Sequence, residues 1–333
     1  MIRILTMNNE ELLEDLANTR NLKDISKKAY RYAIKLYTQF NNMTMKELLD
    51  EAEQEEEEGI RWKKRKIKKR LVDFRNYLYN KYLNNTAKNN FSRILSVYRH
   101  YEIEIHDLPP FSSKNIKTPA PINFKDLPDR DVIKQALKLT TPLMRAIILF
   151  MSSSGCARRE VMNLTVGDFI QATKMYHNTD EIYEAIAILK DQDDVIPMFH
   201  IKRQKTNKYY YTFCSPEAVT EIINYLLSRK KELTNDTKLF KVHTVYLNNH
   251  FKEINETLNL GKKGPYNRFR SHMLRKFHAS QLYNDDMPLE AIDALQGRGK
   301  DSTHSSYFME DPEKLKKMYM EHMNVLTINL DVN

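Results

Sequence analysis

At 333 residues the chain exceeds a typical single domain, and a 41% hydrophobic share is enough for cores in two. Only 7 glycines and 11 prolines interrupt it, which argues against a turn-dense all-β fold and favours long helices. A formal charge of +9 at pH 7, with mean hydropathy −0.64, marks a soluble basic surface that gains affinity for polyphosphate by releasing condensed counterions.

The best apolar run, Leu143 to Met151, is short and carries Arg145, so it reads as a buried helix and not as a membrane span. The first residues, Met1-Ile2-Arg3-Ile4-Leu5, run at once into Asn8, Glu10 and Glu11 and lack the apolar region of a signal peptide. Two cysteines, Cys156 and Cys214, make neither a disulfide framework nor a zinc site, so a reducing, cytoplasmic setting is expected.

In chain order, the stretch from Leu12 to His106 is helical in pattern. Ser26 reads as an N-cap ahead of a face made by Tyr30, Ala33, Ile34 and Tyr37. Met45 to Glu58 is an acidic helix and Arg61 to Arg70 a strongly basic one. Thr86 to Tyr101 puts Phe91, Ile94, Leu95 and Tyr98 on one face. These elements predict a small helical bundle over residues 1–108. Within it, Arg61, Lys63, Lys64 and Arg65 are the candidate phosphate contacts. The alternative is a cationic helix that is solvated or paired with the acidic run Glu55 to Glu58.

Pro109, Pro110, Pro119 and Pro121, with Ser112 and Ser113 between them, forbid helix continuation and predict a linker over 109–121; a surface loop inside one domain is the alternative. A second, mixed α/β domain then spans 122–333. Helices are expected at Asp129 to Lys138, Pro142 to Ser153, Arg159 to Leu164 and Glu217 to Glu232. Ile182 to Leu189, Val195 to Lys202 and Tyr209 to Phe213 have strand composition. Asp191, Asp193 and Asp194 cluster acidic groups as metal sites do, which admits a metal-dependent nuclease or transposase; an acidic turn between strands is the plainer reading. From about Ser271 the chain is helical again. It ends in a helix, Lys314 to Met323, and an apolar-alternating segment, Val325 to Leu330, that packs on its own domain or on a neighbouring subunit.

His272-Met273-Leu274-Arg275 places a histidine and an arginine three residues apart, on one helical face, where they can grip one anion together. Leu295-Gln296-Gly297-Arg298 follows, and Tyr307 stands nine residues after that arginine. There are 19 tyrosines, and Tyr307 stands out by this spacing alone; Tyr319 lacks it. His304, one turn before Tyr307, is a candidate to assist it or to cap.

This set resembles the C-terminal signature of the tyrosine recombinase family: HxLR, then LGH, then a tyrosine nine residues on. Arg298 stands where most members have histidine or tryptophan, and in that respect the chain resembles archaeal and archaeal-virus integrases with Gln-Gly-Arg. A guanidinium still donates to a phosphate oxygen but is no acid or base at neutral pH. Upstream, Ser153 to Leu164 resembles the family's first arginine box, TGxRxxELLxL, with Gly155, Glu160, Val161 and Leu164 in step. The box places its arginine at Ala157; here Arg158 is the expected clamp and Arg159 the alternative. The family's lysine sits in a β-hairpin turn, and Lys205-Thr206-Asn207 fits it, with Lys202 and Lys208 as competitors.

The resemblance implies a mainly α fold with a small antiparallel β-sheet: a helical core-binding domain that clamps DNA, then the tyrosine recombinase catalytic domain. It implies site-specific cutting and rejoining of double-stranded DNA through a 3′-phosphotyrosyl bond, by a homotetramer on paired sites, with no metal, ATP or other cofactor. Tyr307 would be the nucleophile and His272 the base or proton relay. Arg158, Arg275 and Arg298 would hold the phosphate, and Lys205 would protonate the leaving 5′ oxygen. Two alternatives share the fold or the chemistry: a DNA-binding regulator that no longer cleaves, and a type IB topoisomerase or telomere resolvase.

Overall fold

The computed structural model describes residues 8–112, 116, 119–298 and 311–328. It is mainly helical with small antiparallel sheets, and the chain divides into two compact units, residues 1–119 and 120–333. Among the described residues no helix is long and apolar enough to cross a membrane.

The first unit holds α1 (Asn9–Thr19), α2 (Asp24–Asn41), α3 (Met45–Glu57), α4 (Lys66–Lys81) and α5 (Asn84–His100). Asn8 and Thr44 start α1 and α3 with reciprocal capping boxes to Glu11 and Glu47, satisfying amides that the first turn would otherwise leave open. One core joins the five helices through Leu12, Leu16, Tyr37, Leu48, Leu71, Phe74, Ile94 and Tyr98. The buried hydroxyls of Tyr37 and Tyr98 meet at 3.0 Å, so neither is left unpaired.

Two expectations fail here. Ser26 is not an N-cap: α2 begins at Asp24, with Lys23 at the cap and the carboxylate of Asp24 in the first turn, where the helix dipole favours it. Nor is Arg61 to Arg70 one helix. Trp62–Lys64 is a single 3-10 turn, and Arg65 is extended at φ −65° and ψ 135° before α4 starts. The break has a physical cause. Buried Glu55 accepts the Lys66 amide at 2.8 Å, capping α4 with a carboxylate from α3. Arg65 sinks, and its guanidinium donates to Ile60 O at 3.0 Å and Glu56 Oε1 at 2.7 Å.

In the second unit, α6 (Arg130–Lys138) leads to α7 (Pro142–Ser154), which is buried from Ala146 to Ser154 as its sequence predicts. Then come α8 (Arg158–Asn163), α9 (Val166–Ala172) and α10 (Ile182–Lys190). The last corrects an expected strand. Ile182, Ala185, Ile186 and Leu189 are buried at helical spacing, and the Glu181 carboxylate accepts the Tyr183 and Glu184 amides at 3.0 and 3.3 Å. Asp191 to Asp194 follow it in a turn; among the described residues no group of three His, Cys, Asp or Glu side chains is placed to hold a metal ion.

β1 (Met198–Lys202) and β2 (Tyr209–Phe213) form an antiparallel hairpin, with Lys202 opposite Tyr209 and Ile201 opposite Tyr210. α11 (Pro216–Leu227) stops short of the expected Glu232 because the polar run from Ser228 has no apolar face to bury. α12 (Thr244–Thr257) and the two-residue pair β3 (Lys262–Lys263) and β4 (Tyr266–Asn267) were not anticipated. α13 (Ser271–Asn284) packs on α7, and α14 (Leu289–Leu295) lies against β2. After residues 299–310, which include Tyr307 and His304 and lie outside the described set, α15 (Pro312–His322) returns to the same core. Tyr319 donates to Ser153 O at 2.9 Å, and Leu326 and Ile328 are buried, so the tail through residue 328 packs on its own unit.

Candidate active site

The site is built around Arg275. It lies one turn after His272 on α13, and the residue is 7% exposed. Such a charge is costly to bury unless its donors are used. They are: Nη1 donates to Gly155 O and Nη2 to Gln296 O, both at 2.6 Å, with Glu160 Oε2 3.8 Å away. Arg275 therefore ties the end of α7 to the end of α14. Burial, with Arg203 as a nearby like charge, pulls its pKa below the usual value against Tyr210, Glu160 and Cys156, yet an arginine stays charged at neutral pH.

Each tied turn ends in a left-handed glycine. Gly155, at φ +65°, closes α7, and a Cβ there would lie 2.7 Å from His278 Nδ1 and 2.8 Å from Gln296 Nε2. Gly297, at φ +57°, closes α14 in a Schellman arrangement, with Gly297 N bonded to Ala294 O and Arg298 N to Asp293 O, each at 2.8 Å. Gln296 Nε2 donates to Arg275 O at 2.9 Å and to His278 Nδ1 at 3.0 Å. Because Arg275 O can only accept, the amide orientation follows, and His278 holds its proton on Nε2. Burial, then the charges of Arg275 and Arg298, push the His278 pKa down to about 3.

The hairpin closes the third side. Tyr210, on β2, donates to Glu160 Oε2 at 3.0 Å, and the same oxygen accepts the Ala157 amide at 2.7 Å. Beyond Lys202 the hairpin turns through Arg203 N to Lys208 O and Asn207 N to Arg203 O, both 2.8 Å, with Asn207 left-handed at φ +62°. Lys205 stands exposed at the tip. Arg203 is half-buried and donates to Gly297 O.

Of the residues expected at the site, His272, Arg275 and Arg298 come together. Arg298 is half-buried, with Nη1 3.2 Å from Asp293 Oδ1. His272 is open to solvent on one side. Its pKa is lowered by partial burial first, then by Arg270, Lys276, Arg275 and Arg298. Arg158 opens α8, but its Nη1 donates to Asn248 Oδ1 on α12 at 2.7 Å, and Arg159 is exposed. Tyr307 lies outside the described residues. In the first unit, Arg61, Lys63 and Lys64 are exposed, whereas Arg65 is buried against Glu56.

The parts taken by Arg203, Tyr210 and His278, and by the side chain of Gln296 beyond its place in the Gln-Gly-Arg motif, are not among the sequence expectations. For Arg203 a signal existed: Phe199 and Ile201 are buried, and the strand period of two carries Arg203 to the same inward side. The other three depend on long-range packing that no local pattern announces.

Solved structures of low identity share this fold. The chain aligns to a Tn1549 transposon integrase in complex with circular intermediate DNA at TM-score 0.57 and 12% identity, covering 95% of this chain and 99% of that one. The XerH site-specific recombinase bound to difH substrate gives 0.56 at 15% identity, covering 93% and 84%. A lambda integrase dimer bound to a core site gives 0.56 at 13%, covering 90% and 77%. Comparison with curated proteins gives no match. The family model described as "Phage integrase family" matches residues 129–314, which span the box at Gly155, the hairpin, α13 and the turn at Gly297. The chain belongs to the phage integrase family.

Proposed function

We propose that the chain is a site-specific DNA recombinase that cleaves and rejoins double-stranded DNA through a covalent 3′-phosphotyrosyl bond at Tyr307, with no metal or ATP. The observation that carries this is the position of Arg275, which shares a helix face with His272 and is held by carbonyls from the ends of α7 and α14. That anchoring points a cationic, preorganised surface at the place where a phosphate gains charge, so no reorganisation is needed during reaction.

In the proposed step the Tyr307 Oη–P bond forms as the P–O5′ bond breaks. His272 takes the phenolic proton, and Lys205 gives a proton to the departing 5′ oxygen. Arg275 and Arg298 carry the charge on the phosphoryl oxygens, and Arg158, once DNA releases it from Asn248, adds a further cation beside them. Rejoining runs the same step backwards with a 5′ hydroxyl as nucleophile. The lowered pKa of His272 supports its part, because the ring is neutral near pH 7 and can accept. Arg61, Lys63 and Lys64 contact the DNA backbone in this reading, and Arg65 sets their loop. The working assembly is a homotetramer on paired sites in a reducing cytoplasm, and Gln296-Gly297-Arg298 aligns the chain with integrases of the archaeal type.

A nicked suicide duplex tests this, because loss of the short leaving strand traps the adduct. A protein–DNA band that survives denaturation and vanishes in Tyr307→Phe is expected, with EDTA present throughout. A second reading, a DNA-binding regulator without cleavage, is favoured by Ala157 in the box and by the Arg158–Asn248 bond. Site-specific binding with no adduct on any nicked substrate would establish that reading instead. Relaxation of supercoils without exchange between two sites would mark a topoisomerase.

A further inference from the structure

Ala157 occupies the place of the box arginine, and the two arginines that follow it are directed elsewhere: Arg158 to Asn248 and Arg159 to solvent. The hairpin brings a different guanidinium in. Arg203 follows Phe199 and Ile201 on the inward face of β1 and reaches the turn after α14. Arg203 and Arg275 donate to carbonyls of adjacent residues, Gly297 O and Gln296 O, so the two guanidiniums lie side by side on one turn, and Arg298 continues from it. Among the described residues the nearby carboxylates are committed. Glu160 accepts the Ala157 amide and the Tyr210 hydroxyl, and Asp293 faces Arg298. Like charges held together at a half-buried place repel unless an anion lies between them.

We propose that Arg203 supplies the guanidinium absent at Ala157, and that it contacts a non-bridging oxygen of the scissile phosphodiester beside Arg275. This rests on the recombinase reading of the same site. Arg203 is two residues from Lys205, so one hairpin delivers both a charge clamp and the proton donor. Its bond to Gly297 O holds the free chain poised, and among the described residues no other partner takes the remaining N–H groups of the fork, which are left for phosphate. Arg203 takes no part in bond making: it offsets the negative charge that grows on phosphorus-bound oxygen as the Tyr307 Oη–P bond forms and P–O5′ breaks.

The test uses the full chain and two nicked duplexes, one with a phosphodiester and one with a methylphosphonate at the scissile position. The methyl group removes the charge that Arg203 offsets. Arg203→Ala is expected to lower the adduct rate on phosphodiester by roughly 10²–10³-fold while binding in a gel shift persists. On methylphosphonate the same variant recovers most of that loss relative to wild type. Arg203→Lys, which keeps the charge but not the fork, falls between. An Arg203→Ala rate close to wild type overturns the proposal. So does an equal loss on both duplexes, which is what a merely structural bond to Gly297 O predicts. Charge-dependent recovery in Arg158→Ala in place of Arg203→Ala would return the role to Arg158. Wild type without adduct on either duplex would instead refute the recombinase reading itself, and Arg203's role with it.

Discussion

Gly297 turns directly beneath the ring of Tyr210: a Cβ on Gly297 would lie 2.5 Å from Tyr210 Cδ1, while the ring's hydroxyl donates to Glu160 at 3.0 Å. The turn after α14, the hairpin and the start of α8 are thereby fixed by one side chain. A shift in any of them moves the carbonyls that hold Arg275 and Arg203.

Gly297→Ala is therefore expected to damage the site more than the fold. Left-handed backbone at a residue with a Cβ costs about 1–2 kcal/mol, and Tyr210 must also tilt away. Melting should fall by roughly 2–8 °C, with DNA binding kept and adduct formation reduced by far more than the residual folded fraction explains. Gly155→Ala should behave alike, since its Cβ would strike His278 and Gln296. Adduct formation at the wild-type rate in Gly297→Ala would show that the turn has no part in positioning.

Much of this is legible in the amino-acid sequence. The apolar content of α7, the helix carrying His272 and Arg275, and the hairpin turn at Asn207 all follow from local periodicity and turn chemistry. The failures have distinct physical origins. Ile182 to Leu189 is apolar and carries Ile182, Ile186 and Ile188, so its composition reads as a strand; the Glu181 cap and core packing at helical spacing make it a helix. The break at Arg65 comes from Glu55 and Glu56 on another helix, which no local pattern contains. The alternation of β1 carries Arg203 to the inward side, a signal that the lysine-rich turn next to it obscures.

His278 makes stability depend on pH. Its folded pKa is depressed to about 3 while the unfolded chain titrates near 6.5. Between those values the unfolded state binds a proton that the native state refuses, so this contribution is complete above about 6.5 and is lost as pH falls towards 3. The slope is about 1.4 kcal/mol per pH unit for one proton. Denaturant unfolding at pH 7.5, 6.0 and 5.0 should show this loss, and His278→Gln should flatten it by close to one proton. An unchanged slope in that variant would mean that other groups account for the acid sensitivity.

His272 titrates in the opposite context, at the open side of the site. Partial burial and the cations Arg270, Lys276, Arg275 and Arg298 hold its pKa below the ordinary 6.5, so the neutral ring persists to lower pH. If it is the base, the second-order rate of adduct formation should stay flat from pH 8 to below 6.5 and decline only beneath that. Lys276→Met removes one of the cations and should move the acid limb upward without changing the plateau greatly. A limb centred above 6.5 in the wild type would exclude His272 as the base in the free enzyme.

The basic segment of the first unit separates two roles that composition alone merges. Lys63 and Lys64 are exposed, while Arg65 is buried and bonded to Glu56 and Ile60 O. Replacing both lysines by alanine should leave melting unchanged and weaken DNA binding. The slope of log affinity against log salt should then shrink by about 0.9 for each phosphate contact removed. Arg65→Ala should do the reverse: it removes the ion-pair partner of Glu56, which keeps only the Glu104 amide, costs about 1–3 kcal/mol of stability, and alters the salt slope little. Fluorescence anisotropy from 50 to 300 mM salt, alongside thermal melts, measures both. If Arg65→Ala lowers the slope as much as the lysine pair does while melting as wild type, Arg65 leaves Glu56 for DNA, and the ion pair is a resting contact instead of a structural one.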